Sequence, residues 1–366
     1  MHLTTRYLRK DQFVEVYISA IPDRTKELPA RAAELFEAVA SELKKENMFI
    51  FQERIFGTRE ALNAIKDIRK KAYGDLIDTV EPSWLKVPAG INGEIAGIQM
   101  HAIAGIDKPE IVEINGTPCG RIAKTDDVSF LAVSNVLPDK ITSPADQSGQ
   151  MFNKVNSLLT EHDKNFFSVA RTWLWLGDIL DWYDNLNCVR NDFFKVNNLL
   201  GPGITGRMPA STGIGIGPAT DATCCMDLVA VLAPEKAIDY LDIAGNQNSA
   251  FDYGSAFSRA SIAPTPAGKA LYISGTASID KDGKTTNIDD YKAQIAETIE
   301  NVKALILQGD CSDEDVAQAI CYCKTAEIEQ YFCDNYPNFP WPHFTAVADV
   351  CRDDLLFEIE ALVIKK

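Results

Sequence analysis

The chain has 366 residues, of which 46% are hydrophobic and 24% are charged, and its mean hydropathy is −0.11. These values are typical of a globular protein and exclude the disordered, collagen-like and coiled-coil classes. Lysine and arginine number 36 against 52 aspartate and glutamate residues, so the formal net charge is −16. Because so acidic a surface repels phosphate backbones, the composition argues against nucleic acid as a partner.

Targeting and metal-binding patterns are not found in the sequence. No run of about 18 apolar residues predicts a membrane span, and the first residues lack the apolar region of a secretory signal. The nine cysteines form no paired framework, so we expect reduced thiols and a cytoplasmic protein. The four histidines are scattered without zinc-type spacing, so we expect no metal site.

Hydrophobic periodicity predicts strands and helices in a similar order three times along the chain. In the first stretch, strands are predicted at 13–21, 48–56 and 94–104, and helices at 29–46 and 59–73. In the second, strands are predicted at 128–133, 168–176 and 226–232, and helices at 149–162 and 178–196. In the third, strands are predicted at 270–277, 316–323, around 345 and at 357–364, and helices at 288–307 and 326–335.

The shared order indicates three structural units, at residues 10–106, 125–234 and 267–366. Spacing supports a true repeat, since 14 residues separate Val155 from Val169 and also Val302 from Val316, across the same helix-to-strand step. The alternative is that helix and strand simply alternate, as they do in any α/β protein. The segments 107–125 and 234–266, which carry glycine, proline and polar residues, are predicted to be linkers.

The third unit resembles the YjgF/Rid family. The resemblance rests on the stretch Leu271-Tyr272-Ile273-Ser274-Gly275-Thr276-Ala277-Ser278, the helix after it and the closing stretch Phe357-Glu358-Ile359-Glu360-Ala361. Enamine/imine deaminases of that family are homotrimers with active sites between subunits. The resemblance implies an α+β fold of YjgF/chorismate-mutase-like units, three in one chain, that close as an intramolecular pseudo-trimer. We therefore expect a monomer or a weak oligomer.

A narrower resemblance, to chorismatases, covers most of the chain from about Gln147 onward. It rests on several blocks in the right order, namely residues 171–176, 179–183, 187–194, 207–215, 256–260 and 349–356. Chorismatases remove the enolpyruvyl ether of chorismate. The resemblance implies an enzyme that needs no cofactor, binds a small carboxylate substrate and releases pyruvate with a hydroxybenzoate or a dihydroxycyclohexadiene acid.

Two residues match catalytic positions of these families. Glu358 lies between Phe357 and Ile359 on a predicted strand, so its side chain faces away from theirs. A buried carboxyl with a raised pKa can serve as a general acid; the alternative is a solvated strand face. Cys351 resembles the product-determining cysteine of chorismatases that form hydroxybenzoate, and the alternative is a small buried hydrophobic residue.

Arginines are candidates for binding the substrate carboxylates, because a guanidinium pairs with both oxygens at once. The predicted substrate-binding residues are Arg259, Arg171, Arg207, Ser211, Thr212 and, as a weaker candidate, Tyr253. Ser211 and Thr212 follow Arg207 in a loop whose hydroxyl and N–H groups could hold a second carboxylate. The alternatives are exposed surface charge for each arginine and simple packing for Tyr253.

The sequence also departs from both families. His343 or Pro342 stands where Rid deaminases carry an arginine, which argues against a deaminase. The segment from Tyr253 to Phe257 is shorter than in chorismatases and lacks an arginine, and Trp175 stands in place of a tyrosine. A Rid-type deaminase and a non-catalytic small-molecule binding protein of the YjgF fold therefore stay open as alternatives.

Overall fold

The computed structural model describes residues 1–200, 207–243, 245 and 247–365, except for the side chains of Asp252 and Tyr253. Within these residues the chain forms three six-stranded sheets and six α-helices, two helices for each sheet. None of the helices in the described ranges is long and apolar enough to cross a bilayer.

The first sheet is built from the N-terminal third of the chain. Its elements are β1 (His2–Lys10), β2 (Phe13–Ile21), α1 (Leu28–Lys45), β3 (Phe49–Gly57), α2 (Arg59–Tyr73), β4 (Ser83–Lys86) and β5 (Ile95–Ala104). The Thr58 side chain accepts a hydrogen bond from the Ala61 N–H and so caps α2. Leu62 and Ile65 then lie on the buried face of that helix, one turn apart.

The second sheet follows along the chain. Its elements are β6 (Glu110–Ile114), β7 (Thr117–Lys124), β8 (Ser129–Val136), α3 (Pro144–Glu161), β9 (Val169–Leu176), α4 (Tyr183–Val196), β10 (Ala210–Ile214) and, after an edge strand, β12 (Cys224–Ala233). The edge strand, β11 (Gly217–Pro218), pairs with β4 and so joins the first sheet.

The third sheet completes the structure. Its elements are β13 (Asp239–Leu241), β14 (Ala260–Thr265), β15 (Gly268–Ala277), α5 (Tyr291–Gln308), β16 (Val316–Cys323), α6 (Ala326–Asn335), β17 (His343–Val347) and β18 (Phe357–Lys365).

The three sheets share one topology. Each has a hairpin, a helix, a third strand, a second helix, a parallel fourth strand, and a closing strand inserted between the hairpin and the third strand. The strand orders are β1-β2-β5-β3-β4, β7-β8-β12-β9-β10 and β14-β15-β18-β16-β17. This common order confirms the predicted α+β fold of three repeated units.

Several strands lie where linkers were predicted. The segment 107–125 contains the hairpin of β6 and β7, whose turn residues Asn115 and Gly116 both have positive φ. An Asn-Gly pair is the turn that tight hairpins favour, so this signal was present in the sequence but was missed. The segment 234–266 likewise holds β13 and β14. The predicted helix 178–196 is broken at Trp182, whose φ of −149° is not helical.

The sheet faces opposite the helices meet at the centre of the molecule. Large side chains from all three sheets form one buried cluster there, including Phe51, Phe56, Phe130, Trp173, Trp175, Tyr272, Tyr322 and Phe344. Each sheet buries its other face under its own helices. The three units thus close as a pseudo-trimer around their apolar faces.

Matching positions on the third strand of each unit hold the neighbouring unit. Gln52 on β3 donates to the Val133 carbonyl at 2.9 Å, and Gln318 on β16 donates to the Ile18 carbonyl at 2.8 Å. The corresponding residue on β9 is Arg171, which forms an ion pair with Glu360 at 2.8 Å. The three positions are equivalent by register, because each lies four residues before a large side chain of the central cluster. These side chains are Phe56, Tyr322 and Trp175.

A buried ion pair joins the first and second units. Arg54 Nε lies 2.7 Å from Asp227 Oδ2, and both residues are almost wholly buried. Asp227 also accepts hydrogen bonds from Ser83 Oγ, the Asn135 N–H and Trp175 Nε1. Removing one partner of such a pair leaves the other charge buried and uncompensated, which is strongly destabilising.

We therefore expect Asp227→Ala to lower the free energy of unfolding by about 3–5 kcal/mol, measured by urea denaturation at pH 7. The control is Asp221→Ala, which removes the exposed partner of Arg59 and should leave stability nearly unchanged. Equal losses in the two variants would contradict the structural role assigned to Asp227.

Candidate active site

A cavity of about 550 Å³, including the part open to solvent, lies where the second unit faces the third. Its floor is formed where β10 approaches β15. The lining residues are Tyr183, Arg190, Ser211, Gly213, Ser255, Phe257, Arg259, Gly275, Ala277, Ile279, Cys351, Arg352, Leu355 and Glu358. Four of the residues singled out from the sequence thus come together here: Glu358, Cys351, Arg259 and Ser211.

Glu358 is a buried acid at the base of the cavity, only 5% exposed. Its Oε1 atom has no hydrogen-bond partner among the described residues. Burial raises the pKa of this carboxyl to about 8, the negative charge of Glu360 adds to the rise, and the positive charge of Arg171 opposes it. At pH 7 the group is therefore mostly protonated and can donate a proton.

The local backbone explains how Glu358 reaches this place. Glu358 pairs with Ala277 on β15 and with Tyr322 on β16, so it lies on the central strand of its sheet. Phe357 and Ile359 face the apolar core under α5 and α6, which turns Glu358 towards the second unit. A Cβ atom on Gly275 would lie 2.3 Å from Glu358 Oε1, so a side chain at this position would displace the carboxyl.

Cys351 lines the cavity near the same carboxyl. Burial, together with the charge of Glu358, raises the pKa of the Cys351 thiol to about 12. Its sulfur lies within hydrogen-bonding reach of the Tyr183 side chain. The thiol therefore stays protonated at neutral pH, so it shapes the cavity and is not poised as a thiolate nucleophile.

Three arginines line the cavity. Arg259 donates from Nε and Nη2 to the Asn248 carbonyl, at 3.0 and 2.9 Å. The guanidinium groups of Arg259 and Arg190 both lie over the Phe257 ring, at 5.7 and 5.9 Å from its centre. Arg352 is the third and donates to the Gly283 carbonyl. Such a cluster favours a ligand with more than one negative charge.

Arg190 and Arg352 were missed as site residues in the sequence, although both lie in blocks that carry the chorismatase resemblance. For Arg190 a signal was present. It shares the buried face of α4 with Leu186 and Phe194, four residues away on either side. A charged residue on an apolar helix face is rarely buried unless it has a partner or a ligand.

Ser211 and Thr212 diverge because successive side chains of a strand point to opposite faces. Ser211 lines the cavity, and its hydroxyl accepts a hydrogen bond from Thr172 at 2.9 Å. Thr212 instead faces the interface, where its Oγ1 accepts from the Gly275 N–H at 2.9 Å and from Arg171. The lining residues of the cavity do not include Thr212.

Two predicted carboxylate-binding arginines lie outside the cavity. Arg171 is buried beneath it and belongs to the centre of the molecule, because it lies two residues before Trp173 on β9 and so shares its central face. Arg207 is exposed and lies in a separate groove with Tyr240. The reason is that Met208, next to it, takes the buried position in the core of the second unit. The predicted contact of Tyr253 falls on a side chain outside the described residues.

The departures from related sequences are also placed by the structure. His343 is half-buried, bonds to the Trp341 carbonyl at 2.7 Å and packs against Phe332 and Phe339, so it is not among the residues lining this cavity. Trp175 packs on Phe56 at the centre of the molecule and does not line the cavity, so this departure from chorismatases lies outside it. Within the described ranges, no cluster of three or more His, Cys, Asp or Glu residues could hold a metal ion.

The equivalents of Glu358 in the other two units differ in chemistry. By strand register they are Gly97 on β5, which pairs with Phe56, and Cys225 on β12, which pairs with Trp175. A Cβ atom on Gly97 would lie 2.7 Å from the Phe344 ring, so that interface is filled. Cys225 is fully buried in the central cluster. Within the described chain, the acid is therefore found at one of three equivalent positions.

Comparison with known proteins supports the fold. No family model and no curated protein sequence matches the chain. Among solved structures, a chorismatase matches over 99% of this chain and 98% of its own, with 18% identity and a TM-score of 0.58. The chain therefore has the fold of a chorismatase.

Smaller proteins align with part of the chain. A Rid-family protein from Yersinia pestis covers 35% of this chain and all of its own, with 20% identity and a TM-score of 0.28. A YjgF/YER057c/UK114-family protein from Mycobacterium tuberculosis covers 34% and 98%, with 18% identity and a TM-score of 0.26. The shared order of strands described above shows three repeated units in this chain.

The raised pKa of Glu358 predicts how stability depends on pH. In the unfolded chain this carboxyl ionises near its ordinary value of 4.5, whereas in the folded protein it stays protonated up to about 8. Between these values unfolding releases a proton, so stability falls by about 1.4 kcal/mol per pH unit. Glu358→Gln does not ionise, so it should become progressively more stable than the wild type from pH 5 to pH 8.

Urea unfolding at pH 5, 6.5 and 8 measures this difference. The control is Glu300→Gln, at an exposed carboxylate on α5, which should show no such divergence. A constant difference between Glu358→Gln and the wild type across this range would show that Glu358 is not held in its protonated form.

Proposed function

We propose that this chain is a chorismatase-like enzyme, which cleaves the enolpyruvyl ether of chorismate or a related dicarboxylate. The products would be pyruvate and either a hydroxybenzoate or a dihydroxycyclohexadiene acid. The observation that supports this most directly is Glu358, a buried and protonated acid whose free oxygen lies in a cavity lined with arginines.

The chemistry of an enol ether requires such a group. Transfer of a proton from Glu358 to the methylene carbon would give a carbocation stabilised by the ether oxygen. That positive charge lies on the adjacent carbon, which carries the ether oxygen. Addition of water to this adjacent carbon, with loss of a proton, and collapse of the hemiketal would then break its bond to the ether oxygen and release pyruvate. A carboxyl whose pKa lies near neutrality is suited to donate this proton and to recover it afterwards.

The arginines supply the opposite charge to the substrate. Chorismate carries two carboxylates, and Arg190, Arg259 and Arg352 line one cavity. Because Glu358 is mostly neutral at pH 7, its charge does not oppose the binding of an anion beside it. A buried hydrogen bond between charged groups contributes about 1.5–3 kcal/mol, which is enough to orient the substrate.

We expect purified protein mixed with chorismate to release pyruvate, followed with lactate dehydrogenase. Glu358→Gln should lower kcat by about 10²–10⁴-fold, because it removes the proton donor. For the wild type, kcat/KM should fall as pH rises through about 8, where Glu358 loses its proton. Glu300→Gln should retain full activity.

Full turnover by Glu358→Gln would contradict the proposal. If pyruvate is released and its release depends on Glu358, chromatography of the ring product would show which acid is formed and whether Cys351→Ala changes it. Chorismate that is bound tightly and recovered unchanged would instead support the binding-protein alternative.

The role of the cavity arginines in substrate binding can be tested by comparison with an arginine outside the cavity. Arg190→Met should raise KM for chorismate by about 10–100-fold, since a charge-assisted hydrogen bond is lost. Arg207→Met should leave KM unchanged, because Arg207 lies in a separate groove. A rise in KM for Arg207→Met and none for Arg190→Met would contradict this assignment of the substrate site.

A Rid-type deaminase is the second candidate. It is favoured by the presence of guanidinium groups in the same cavity as Glu358, since an imino acid needs one to anchor its carboxylate. Ammonia release from a freshly generated 2-aminoacrylate, faster than its spontaneous hydrolysis and dependent on Glu358, would favour this reaction over ether cleavage.

A further inference from the structure

A buried network of charged and polar groups lies beneath Glu358 and joins the second unit to the third. Arg171 Nη2 lies 2.8 Å from Glu360 Oε2, and the same guanidinium nitrogen donates to Thr212 Oγ1. Trp173 Nε1 donates to the other oxygen of Glu360 at 3.0 Å. Arg171 is 1% exposed and Glu360 is 4% exposed, so water does not screen this pair.

The network is connected to Glu358 in two ways, by the charge of Glu360 and by a hydrogen bond to Thr212. Glu360 is two residues further along β18, so both carboxyl groups lie on the same face of the strand. The hydrogen bond holds the backbone on which Glu358 rests. Thr212 Oγ1 accepts the Gly275 N–H at 2.9 Å, and the Gly275 backbone is the surface against which Glu358 Oε1 rests.

We propose that the Arg171–Glu360 ion pair and Thr212 act together as positioning residues that hold Glu358 in place for proton transfer, and that the charge of Glu360 adds to the effect of burial in keeping Glu358 protonated. Arg171 and Thr212 would then act through Glu358 rather than by binding the substrate. The inference rests on the proposed role of Glu358 as the proton donor, but its central test does not require turnover.

Burial is the main cause of the raised pKa of Glu358, and the charge of Glu360 comes second. The other titratable groups around Glu358 do not raise it further. Tyr322 faces it from β16, with a hydroxyl that has no hydrogen-bond partner among the described residues. Cys351 faces it from the loop before β18, and both groups are neutral at pH 7. The neighbouring residues of β10 and β15 are uncharged, and the cavity arginines Arg190, Arg259 and Arg352 would favour the ionised form. Glu360 is thus the one negative charge among the described neighbours that opposes ionisation.

The pseudo-threefold repeat offers a matched control. Asp227 lies two residues after Cys225 on β12, as Glu360 lies two residues after Glu358 on β18. Asp227 is likewise buried and paired with an arginine, Arg54. Cys225 takes the position of the acid there, so this ion pair has no carboxyl to position, although Arg54 lies two residues further along its strand than the equivalent of Arg171.

The first test measures the free energy of unfolding as a function of pH, which reports the pH at which Glu358 ionises. For a given background, the difference in free energy of unfolding between the protein and its Glu358→Gln derivative changes with pH until Glu358 ionises. In the wild-type background this change should end near pH 8. In the Glu360→Gln background it should end at least about one pH unit lower, because a negative neighbour is lost and Arg171 loses its counter-charge.

The same comparison in the Asp227→Asn background should show a loss of stability, but the pH at which the Glu358→Gln difference stops changing should stay the same. An unchanged endpoint in Glu360→Gln, or an equal shift in Asp227→Asn, would overturn the proposal. If Glu360→Gln does not fold, the Thr212 variants decide, since they keep the ion pair.

Thr212→Val removes the oxygen that holds Gly275 and Arg171, whereas Thr212→Ser retains it. With chorismate as substrate, Thr212→Val should lower kcat about tenfold with little change in KM, and Thr212→Ser should restore most of the loss. A rise in KM at unchanged kcat would instead make Thr212 a substrate contact and contradict its role.

The two proposals fail in different ways. If chorismate is not turned over but Glu360→Gln shifts the titration of Glu358, the network stands and the proposed reaction falls. If pyruvate is released and the titration stays unchanged, the reaction stands and the network is only structural.

Discussion

The packing of three apolar sheet faces around a common centre is the constraint on which the rest of the molecule depends. Each sheet covers its other face with its own helices, so the central faces can be buried only against each other. Polar groups on those faces must then find partners on the neighbouring unit. Gln52, Gln318 and Arg171 do so from equivalent positions, which makes the interfaces both apolar and specific.

Covalent linkage of the units allows the three interfaces to differ. In an oligomer of identical chains, each interface would carry the same residues. Here Phe344 fills one interface against Gly97, whereas another keeps a cavity above Glu358. Burial that keeps Glu358 protonated at neutral pH also costs stability there, because the unfolded chain would ionise the group.

Much of the fold could be predicted because hydrophobic periodicity reports on local structure. The strands Phe13–Ile21 and Val316–Cys323 and the helices Arg59–Tyr73 and Ala326–Asn335 have the bounds predicted from the sequence. The short edge strands were missed, since their pairing comes from a neighbour rather than from their own pattern. The hairpin at Asn115-Gly116 is the exception, because its turn signal is local and readable.

The sequence by itself determined the repeated α+β units, because these depend on periodicity. Local motifs singled out Glu358, Cys351, Arg259 and Ser211, which share one cavity, but equally Arg171, Arg207 and Thr212, which do not line it. Tertiary structure decided which arginines share the cavity with Glu358. Arg190 enters it from α4, whereas Arg171 turns to the centre of the molecule and pairs with Glu360, 189 positions away in the chain. Such a choice depends on how one unit is placed against the next, and a pattern of residues along one chain carries no record of that placement.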